Sequence, residues 1–262
     1  MDFPIQEYCE RTGAPQDGPL NVERLEELQR AQIYAMPFEN FDIQLGRGID
    51  LTPDHLVDKL IRHRRGGYCF ELNGLFLRVL RYLGFEARAA LARVHVRGDP
   101  TGRGHQLSLV SIADRDWVVD VGFGGPGPRK PILLEHNVES RHDGRVLRLT
   151  QHELGHMLQQ KVDGTWNDVY SFDLTPVLAN DIAYGNHFTS THPSSFFTTS
   201  RVAVRAYPDG QSTLFNFRCA TSRGDNDEVE ELPNDECYLS ILRERFGIEL
   251  DSSYEDLASV EA

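Results

Sequence analysis

Arg65-Gly66-Gly67-Tyr68-Cys69-Phe70-Glu71-Leu72-Asn73 holds a paired glycine, a thiol and the head of an apolar repeat within nine residues. Downstream of the glycines, Leu72, Leu75, Phe76, Val79, Leu80 and Leu83 recur at helical spacing. Cys69 therefore stands in the first turn of a predicted helix that closes near Gly84. A side chain there faces N–H groups with no intrahelical acceptor and the positive end of the helix dipole, and both favour a thiolate. Two readings are open at this point: a nucleophile, or a buried structural cysteine of the kind common in cores.

Upstream the pattern is also helical. Val22 to Met36 places Leu25, Leu28, Ile33 and Met36 on one face, with Asn21 as N-cap, Glu23 in the first turn and Pro37 as the stop. Arg24, three residues after Asn21, leaves a capping box incomplete. Leu51-Thr52-Pro53-Asp54 opens a further helix to about His63, with Thr52 as cap and Pro53 at its first position.

Beyond Phe85 the period becomes that of strands. Ala87 to Val96, Gln106 to Ile112, Trp117 to Val121, Arg145 to Thr150, Met157 to Val162 and Asp168 to Phe172 are β-type runs, with Asp163-Gly164 as a tight turn. This region reads as a mostly antiparallel sheet or small barrel. Arg201 to Tyr207 and Thr213 to Arg218 read as a hairpin around Pro208-Asp209-Gly210, and Tyr238 to Phe246 as a helix.

The bulk properties narrow the function classes. The 262 residues are 40% hydrophobic and 26% charged, so a substantial core is available, and no apolar run is long enough to span a bilayer. The start, Met1-Asp2-Phe3-Pro4-Ile5-Gln6-Glu7, lacks the basic and apolar regions of a signal peptide, which makes a cytoplasmic location the expectation. Cys9, Cys69, Cys219 and Cys237 are irregularly spaced and are expected as free thiols. A formal net charge of −13 argues against a nucleic-acid partner, and the run Asp225 to Glu231 is expected to be a solvated face.

A thiol nucleophile benefits from an imidazole that forms an ion pair with it, and the imidazole from a carboxylate that fixes its tautomer. Arg103-Gly104-His105-Gln106-Leu107-Ser108-Leu109-Val110 puts His105 at the start of one strand. Trp117-Val118-Val119-Asp120-Val121-Gly122-Phe123-Gly124 puts Asp120 near the end of the next. A reversal at Asp114-Arg115-Asp116 brings both toward one sheet end, yet a hairpin centred on Arg115 sets Asp120 opposite Val110. A meeting with His105 then requires a bulge, barrel coiling or a different reversal point. Asp120 is either a buried acid with a partner or a residue on a solvated face, and His105 either a base or an ordinary core or surface histidine.

Taken together, these segments resemble the arylamine N-acetyltransferase family. The family's Arg-Gly-Gly-x-Cys-x-Glu-x-Asn pattern is met by Arg65, Gly66, Gly67, Cys69, Glu71 and Asn73, and its histidine and aspartate segments by those around His105 and Asp120. Pro37-Phe38-Glu39-Asn40-Phe41-Asp42 and Ser190-Thr191-His192-Pro193-Ser194-Ser195-Phe196-Phe197 match two further blocks in the same order. The resemblance implies an α+β fold: an N-terminal helical bundle (1–85), a central antiparallel β-barrel (86–190) and a C-terminal α/β lid (191–262), around a cysteine-protease-like catalytic core. It implies acetyl transfer from acetyl-CoA to arylamines, arylhydrazines and N-hydroxyarylamines by a ping-pong route, with Cys69 as acetyl carrier, His105 as base and Asp120 as its orienter. Phe38, Phe123 and Phe197 are implied in the acceptor pocket, although each also reads as a plain core phenylalanine. Gly104, Phe123 and Gly124 are implied beside the cofactor, where Gly122 to Gly127 also reads as a plain turn. Glu39 and Arg65 are implied as a structural ion pair, and no metal is expected. A biosynthetic relative of the same fold, closing amides on polyketide chains, shares these blocks, so xenobiotic and biosynthetic roles both stay open.

Gln151-His152-Glu153-Leu154-Gly155-His156 contains H-E-x-x-H, the zinc signature of many metallopeptidases. That motif works only on a stable helix, whereas its flanks read as strands and Gly155 costs a helix about 1 kcal/mol relative to Ala. Gln159 and Val162 also stand where the extended pattern has Gly and a third His. A papain-like cysteine peptidase shares the thiol–imidazole chemistry, but the acidic chain shows no pro-segment or substrate groove.

Overall fold

The change of period at Phe85 is a change of architecture. The computed structural model describes residues 3–96, 98–224 and 226–260. Met1 and Asp2 of the chain start and Asp225 of the acidic run thus lie outside the described residues. The first part is helical: α1 (Ile5–Thr12), α2 (Val22–Ala35), β1 (Phe38–Glu39), α3 (Phe41–Gln44), α4 (Pro53–Val57) and α5 (Cys69–Tyr82). Asn21 caps α2 by accepting the Arg24 N–H at 3.0 Å. α1 carries too few apolar residues to announce itself in the pattern, yet it buries Ile5 and Tyr8.

The helix predicted from Thr52 to His63 departs from expectation twice. The Thr52 side chain makes no capping hydrogen bond; its own N–H donates to Asp50 Oδ1 at 2.8 Å instead. From Asp58 to Arg62 the helix widens into π turns, a geometry often found near functional sites. That wider segment carries Lys59 into the interior.

The second part is one antiparallel sheet. Its strands are β2 (Glu86–Val94), β3 (His105–Ile112), β4 (Arg115–Val119), β5 (Ile132–Leu133), β6 (Ser140–His142), β7 (Arg145–His152), β8 (Gly155–Val162) and β9 (Thr165–Phe172), in the order β5-β4-β3-β2-β9-β8-β7-β6. A parallel bridge from His136, just after β5, to Leu149 of β7 brings the two edges together, so the sheet is a nearly closed barrel. β3 is buried on both faces: Leu107 and Leu109 join the barrel core, while Val110 joins the helical core with α5. The H-E-x-x-H segment is the turn of the β7–β8 hairpin, with His152 opposite Gly155. Its two histidines therefore cannot share a helical face, and His156 instead pairs with His136, Nδ1 to Nε2, at 2.9 Å.

The third part holds α6 (Ala179–Thr191), α7 (Phe196–Thr199), β10 (Val202–Tyr207), β11 (Gly210–Phe215), β12 (Arg218–Arg223), β13 (Asn226–Glu231) and α8 (Cys237–Ile241). Its sheet, β1-β10-β11-β12-β13, recruits β1 from the first part, with Phe38 opposite Val204. The predicted hairpin turns on Pro208-Asp209, so its second strand starts earlier than expected, at Gly210. The acidic run becomes the edge strand β13, whose charges discourage pairing with a second chain.

Candidate active site

The nonapeptide is clamped from both sides. A Cβ on Gly66 would lie 2.1 Å from the Pro37 carbonyl oxygen, so only glycine lets the chain pass there. Phe38 bridges to Gly67 just beyond. At the head of α5, Glu71 Oε2 accepts the Tyr68 N–H at 3.0 Å. Its other oxygen accepts from Lys59 Nζ at 2.6 Å, and the same ammonium lies 2.6 Å from Asp42 Oδ2. Arg65 grips Glu39 with two hydrogen bonds, 2.8 and 3.0 Å, and reaches Asp42 at 3.3 Å. Burial alone would pull the Lys59 pKa down; the surrounding Glu71, Glu39 and Asp42 raise it well above its ordinary value. This buried charge cluster fixes where α5 begins and hence where Cys69 sits.

The β3–β4 hairpin reverses at Ala113-Asp114, both with positive φ (49° and 58°), a type I′ turn. That turn sets the register left open by the sequence. Ile112 pairs with Arg115 and Ser108 with Val119, so Asp120 falls one step beyond, near Leu107 rather than Val110. His105 and Leu107 share a face, and the diagonal reach between His105 and Asp120 is within side-chain length. The result is a contact of 2.8 Å between His105 Nε2 and Asp120 Oδ2. Asp120 is fully enclosed by protein, and its Oδ1 accepts from Asn73 Nδ2 and from the Gly122 N–H, each at 2.9 Å.

Cys69 is close enough to His105 to help raise its pKa, and its sulfur is 3.7 Å from the Gly104 carbonyl oxygen. Burial by itself pulls an imidazole pKa down. The Asp120 charge and hydrogen bond, helped by the nearby Cys69, outweigh it and raise His105 to about 10. Burial pushes Asp120 up, but its His105, Asn73 and Gly122 contacts bring it below the ordinary carboxylate value. The arrangement can hold an imidazolium beside a thiol at neutral pH, which is the chemistry of a thiolate nucleophile.

These groups open onto a cleft of about 680 Å³ lined by Cys69, His105, Gly104, Phe38, Phe123 and Phe197, among others. Phe38 and Phe197 have ring centroids 5.9 Å apart, and Phe123 stands edge-on to His105 at 5.0 Å. Gly124 stands behind this wall, against Phe38 and Val204. Residues from all three parts thus meet at one place. Asn40 secures the junction by donating to the Phe197 and Ser200 carbonyls at 2.8 and 2.7 Å and accepting the Val202 N–H at 2.8 Å.

Three residues of the site were given no role by the sequence reading, although one of them, Asn73, stands in its motif. Asn73 binds Asp120 and the Gln106 carbonyl through its amide N–H groups and the Val121 N–H through its oxygen. Its signal was present: it lies one helical turn after Cys69, on the same face of an otherwise apolar helix. Gln29 supports Asp120 from α2, its side-chain Nε2 donating to the Asp120 backbone carbonyl oxygen at 3.1 Å. Tyr170 packs its ring on His105 and Phe123, 5.3 and 5.2 Å away; from a distant strand, neither contact has a local sequence signal.

A family model described as N-acetyltransferase matches residues 21–254. The arylamine N-acetyltransferase / N-hydroxyarylamine O-acetyltransferase of Salmonella typhimurium is 37% identical over 246 residues, covering 92% of this chain and 85% of that protein. The solved arylamine N-acetyltransferase from the same organism superposes with a TM-score of 0.91 at 33% identity, over 96% of this chain and 95% of that one. The Mycobacterium marinum arylamine N-acetyltransferase in complex with CoA superposes with a TM-score of 0.85 at 31% identity, over 93% of this chain and 92% of that one.

Proposed function

The chain belongs to the arylamine N-acetyltransferase family, and from that premise we propose that it carries acetyl groups from acetyl-CoA to arylamine nitrogen through an acetyl-Cys69 intermediate. The observation that carries this reading is the contact of 2.8 Å between His105 and Asp120, with the Cys69 thiol lining the same aromatic cleft as the imidazole.

The proton bookkeeping closes over two half-reactions. The Cys69 thiolate adds to the thioester carbonyl of acetyl-CoA, and the developing oxyanion takes the Cys69 N–H, which in the first turn of α5 has no intrahelical acceptor. The bond from the carbonyl carbon to the CoA sulfur breaks, and CoA leaves as a thiol with the proton from the His105 imidazolium. Neutral His105 then takes a proton from the amine as its nitrogen attacks acetyl-Cys69. Expulsion of the thiolate completes the amide and restores the ion pair. Asp120 holds His105 in the tautomer that keeps its other nitrogen toward the sulfur.

Phe38, Phe123 and Phe197 take the flat acceptor ring, and Gly104, Phe123 and Gly124 belong to the donor side. The acceptor class extends to arylhydrazines and N-hydroxyarylamines. Glu39 and Arg65 act as scaffold. We keep the three-part division at 85/86 and 190/191 as a proposal: the end of α5 at Tyr82 supports the first boundary, whereas the barrel strands end at Phe172 and α6 (Ala179–Thr191) runs across the second. A cytoplasmic enzyme without nucleic-acid partners fits the net charge of −13. Among the described residues no helix is long and apolar enough to cross a membrane.

Initial rates with acetyl-CoA and an arylamine varied together test the reading. Parallel double-reciprocal lines, lost activity in Cys69→Ala, and a raised acceptor KM in Phe197→Ala are expected; intersecting lines would exclude the covalent route.

A further inference from the structure

The segment Gly122 to Pro128 packs four glycines and two prolines around Phe123 and lies outside any helix or strand. Such a chain is costly to order, because glycine surrenders more backbone freedom than any other residue. Its inner side faces the cleft with Gly122, Phe123, Gly125 and Pro126. Its outer side rests on two guanidiniums.

Arg145, the first residue of β7, donates from Nη1 to the carbonyl oxygens of Gly125 and Gly127, the latter at 2.9 Å. Its Nη2 donates to Gln211 Oε1 at 2.7 Å. Arg129, the first residue past the loop, reaches the same Gln211 oxygen at 3.2 Å and the Tyr207 and Gly210 carbonyls at 2.7 and 2.9 Å. The barrel, the loop and the β10–β11 hairpin therefore meet at one amide oxygen held between two like charges. Burial, and then the neighbouring Arg129 charge, lower Arg145 to about 10. Maintaining that crowding makes sense for a planar fork that reaches its three acceptors from two separate nitrogens, a spread that the single nitrogen of a lysine does not offer.

The loop also leads to the catalytic groups. A Cβ on Gly127 would lie 2.7 Å from Phe123 Cβ, so the returning half of the loop is pressed against Phe123. Phe123 in turn stands edge-on to His105.

We propose that Arg145, acting through the shared Gln211 oxygen and Arg129, is a positioning residue for the acyl donor: it holds the Gly122–Pro128 loop as the donor wall of the cleft and fastens that wall to the β10–β11 hairpin. The proposal rests on the acetyl-transfer reading of the site. It concerns the loop's carbonyls, not contact with the reacting atoms.

The full-length chain carrying Arg145→Met, Arg145→Lys or Gln211→Leu tests it with two readouts. One is the single-turnover rate of Cys69 acetylation against acetyl-CoA concentration, without acceptor. The other is Cys69 alkylation by iodoacetamide, which needs the thiolate but no donor wall. Arg145→Met is expected to raise the half-saturating acetyl-CoA concentration roughly tenfold, with maximal rate and alkylation each within about threefold of wild type. Gln211→Leu shifts it in the same direction by less, and Arg145→Lys stays close to Arg145→Met. Should Arg145→Met fail to fold, Gln211→Leu, which keeps both guanidiniums, decides alone. Unchanged half-saturation beside normal wild-type acetylation overturns the clamp. So does alkylation that falls in step with acetylation, because the contacts then serve the triad's architecture. A wild-type chain that alkylates yet takes no acetyl group overturns the acetyl-transfer reading, and the clamp with it.

Discussion

Asp120 meets His105 with one oxygen and Asn73 and the Gly122 N–H with the other, so its carboxylate has no freedom to turn. Its charge is what keeps a buried imidazole protonated. A neutral amide in its place leaves burial opposed only by the weaker influence of Cys69, and His105 should then lose its proton far below 10. We predict that in Asp120→Asn the His105 ring resonances titrate below pH 6.5, and that acetyl transfer falls by about two orders of magnitude or more; a ring still protonated at about pH 8 would refute this. The same shift has a stability signature. His105 has a raised folded-state value, so its contribution is fully present below pH 6.5 and lost as pH climbs toward 10. Asp120 has a lowered value, so its contribution is present above the ordinary carboxylate value and lost as pH falls through the folded one. Between pH 6.5 and 10 wild type should lose unfolding free energy that Asp120→Asn does not lose, as read by urea titration at several pH values.

The two-residue turn at Ala113-Asp114 decides whether His105 and Asp120 meet, and it does so at a cost. Ala113 sits at φ 49°, a conformation that strains any residue with a Cβ. Ala113→Gly should therefore stabilise the protein by about 1 kcal/mol in urea unfolding without changing acetylation kinetics; a destabilised variant would contradict the turn assignment. The charge cluster under α5 works in the opposite sense. Glu39 is fully buried against Arg65, and Glu39→Gln leaves a buried cation short of its partner, which should cost about 3–5 kcal/mol of unfolding free energy. Elements with strong periodicity were legible from the sequence: α2 and its Asn21 cap, α5, and the main strands of the barrel. The reversal point was not, because Asp114-Arg115-Asp116 offers as polar a turn as Ala113-Asp114 and only the positive φ values separate them. The π-helical turns of Asp58–Arg62 were also hidden, since Lys59 reads as a surface residue until Asp42 and Glu71 are seen around it. Motif spacing picked out Cys69, His105 and Asp120, whereas Tyr170 and Gln29 reach the site through tertiary packing alone.

At the scale of the molecule, the three parts are joined at the cleft where we propose that the chemistry takes place. Cys69 comes from the helical part, His105 and Asp120 from the barrel, and Phe197 from the segment after α6, with Asn40 and the β1–β10 pairing holding the last to the first. The most direct test of the central claim is intact-protein and peptide mass spectrometry after mixing with acetyl-CoA, before and after addition of an arylamine. The account predicts one acetyl group on Cys69 that disappears as the amide forms, and none on Cys69→Ala. An acetyl group on another residue, or one on Cys69 that persists when the amine is added, would contradict it.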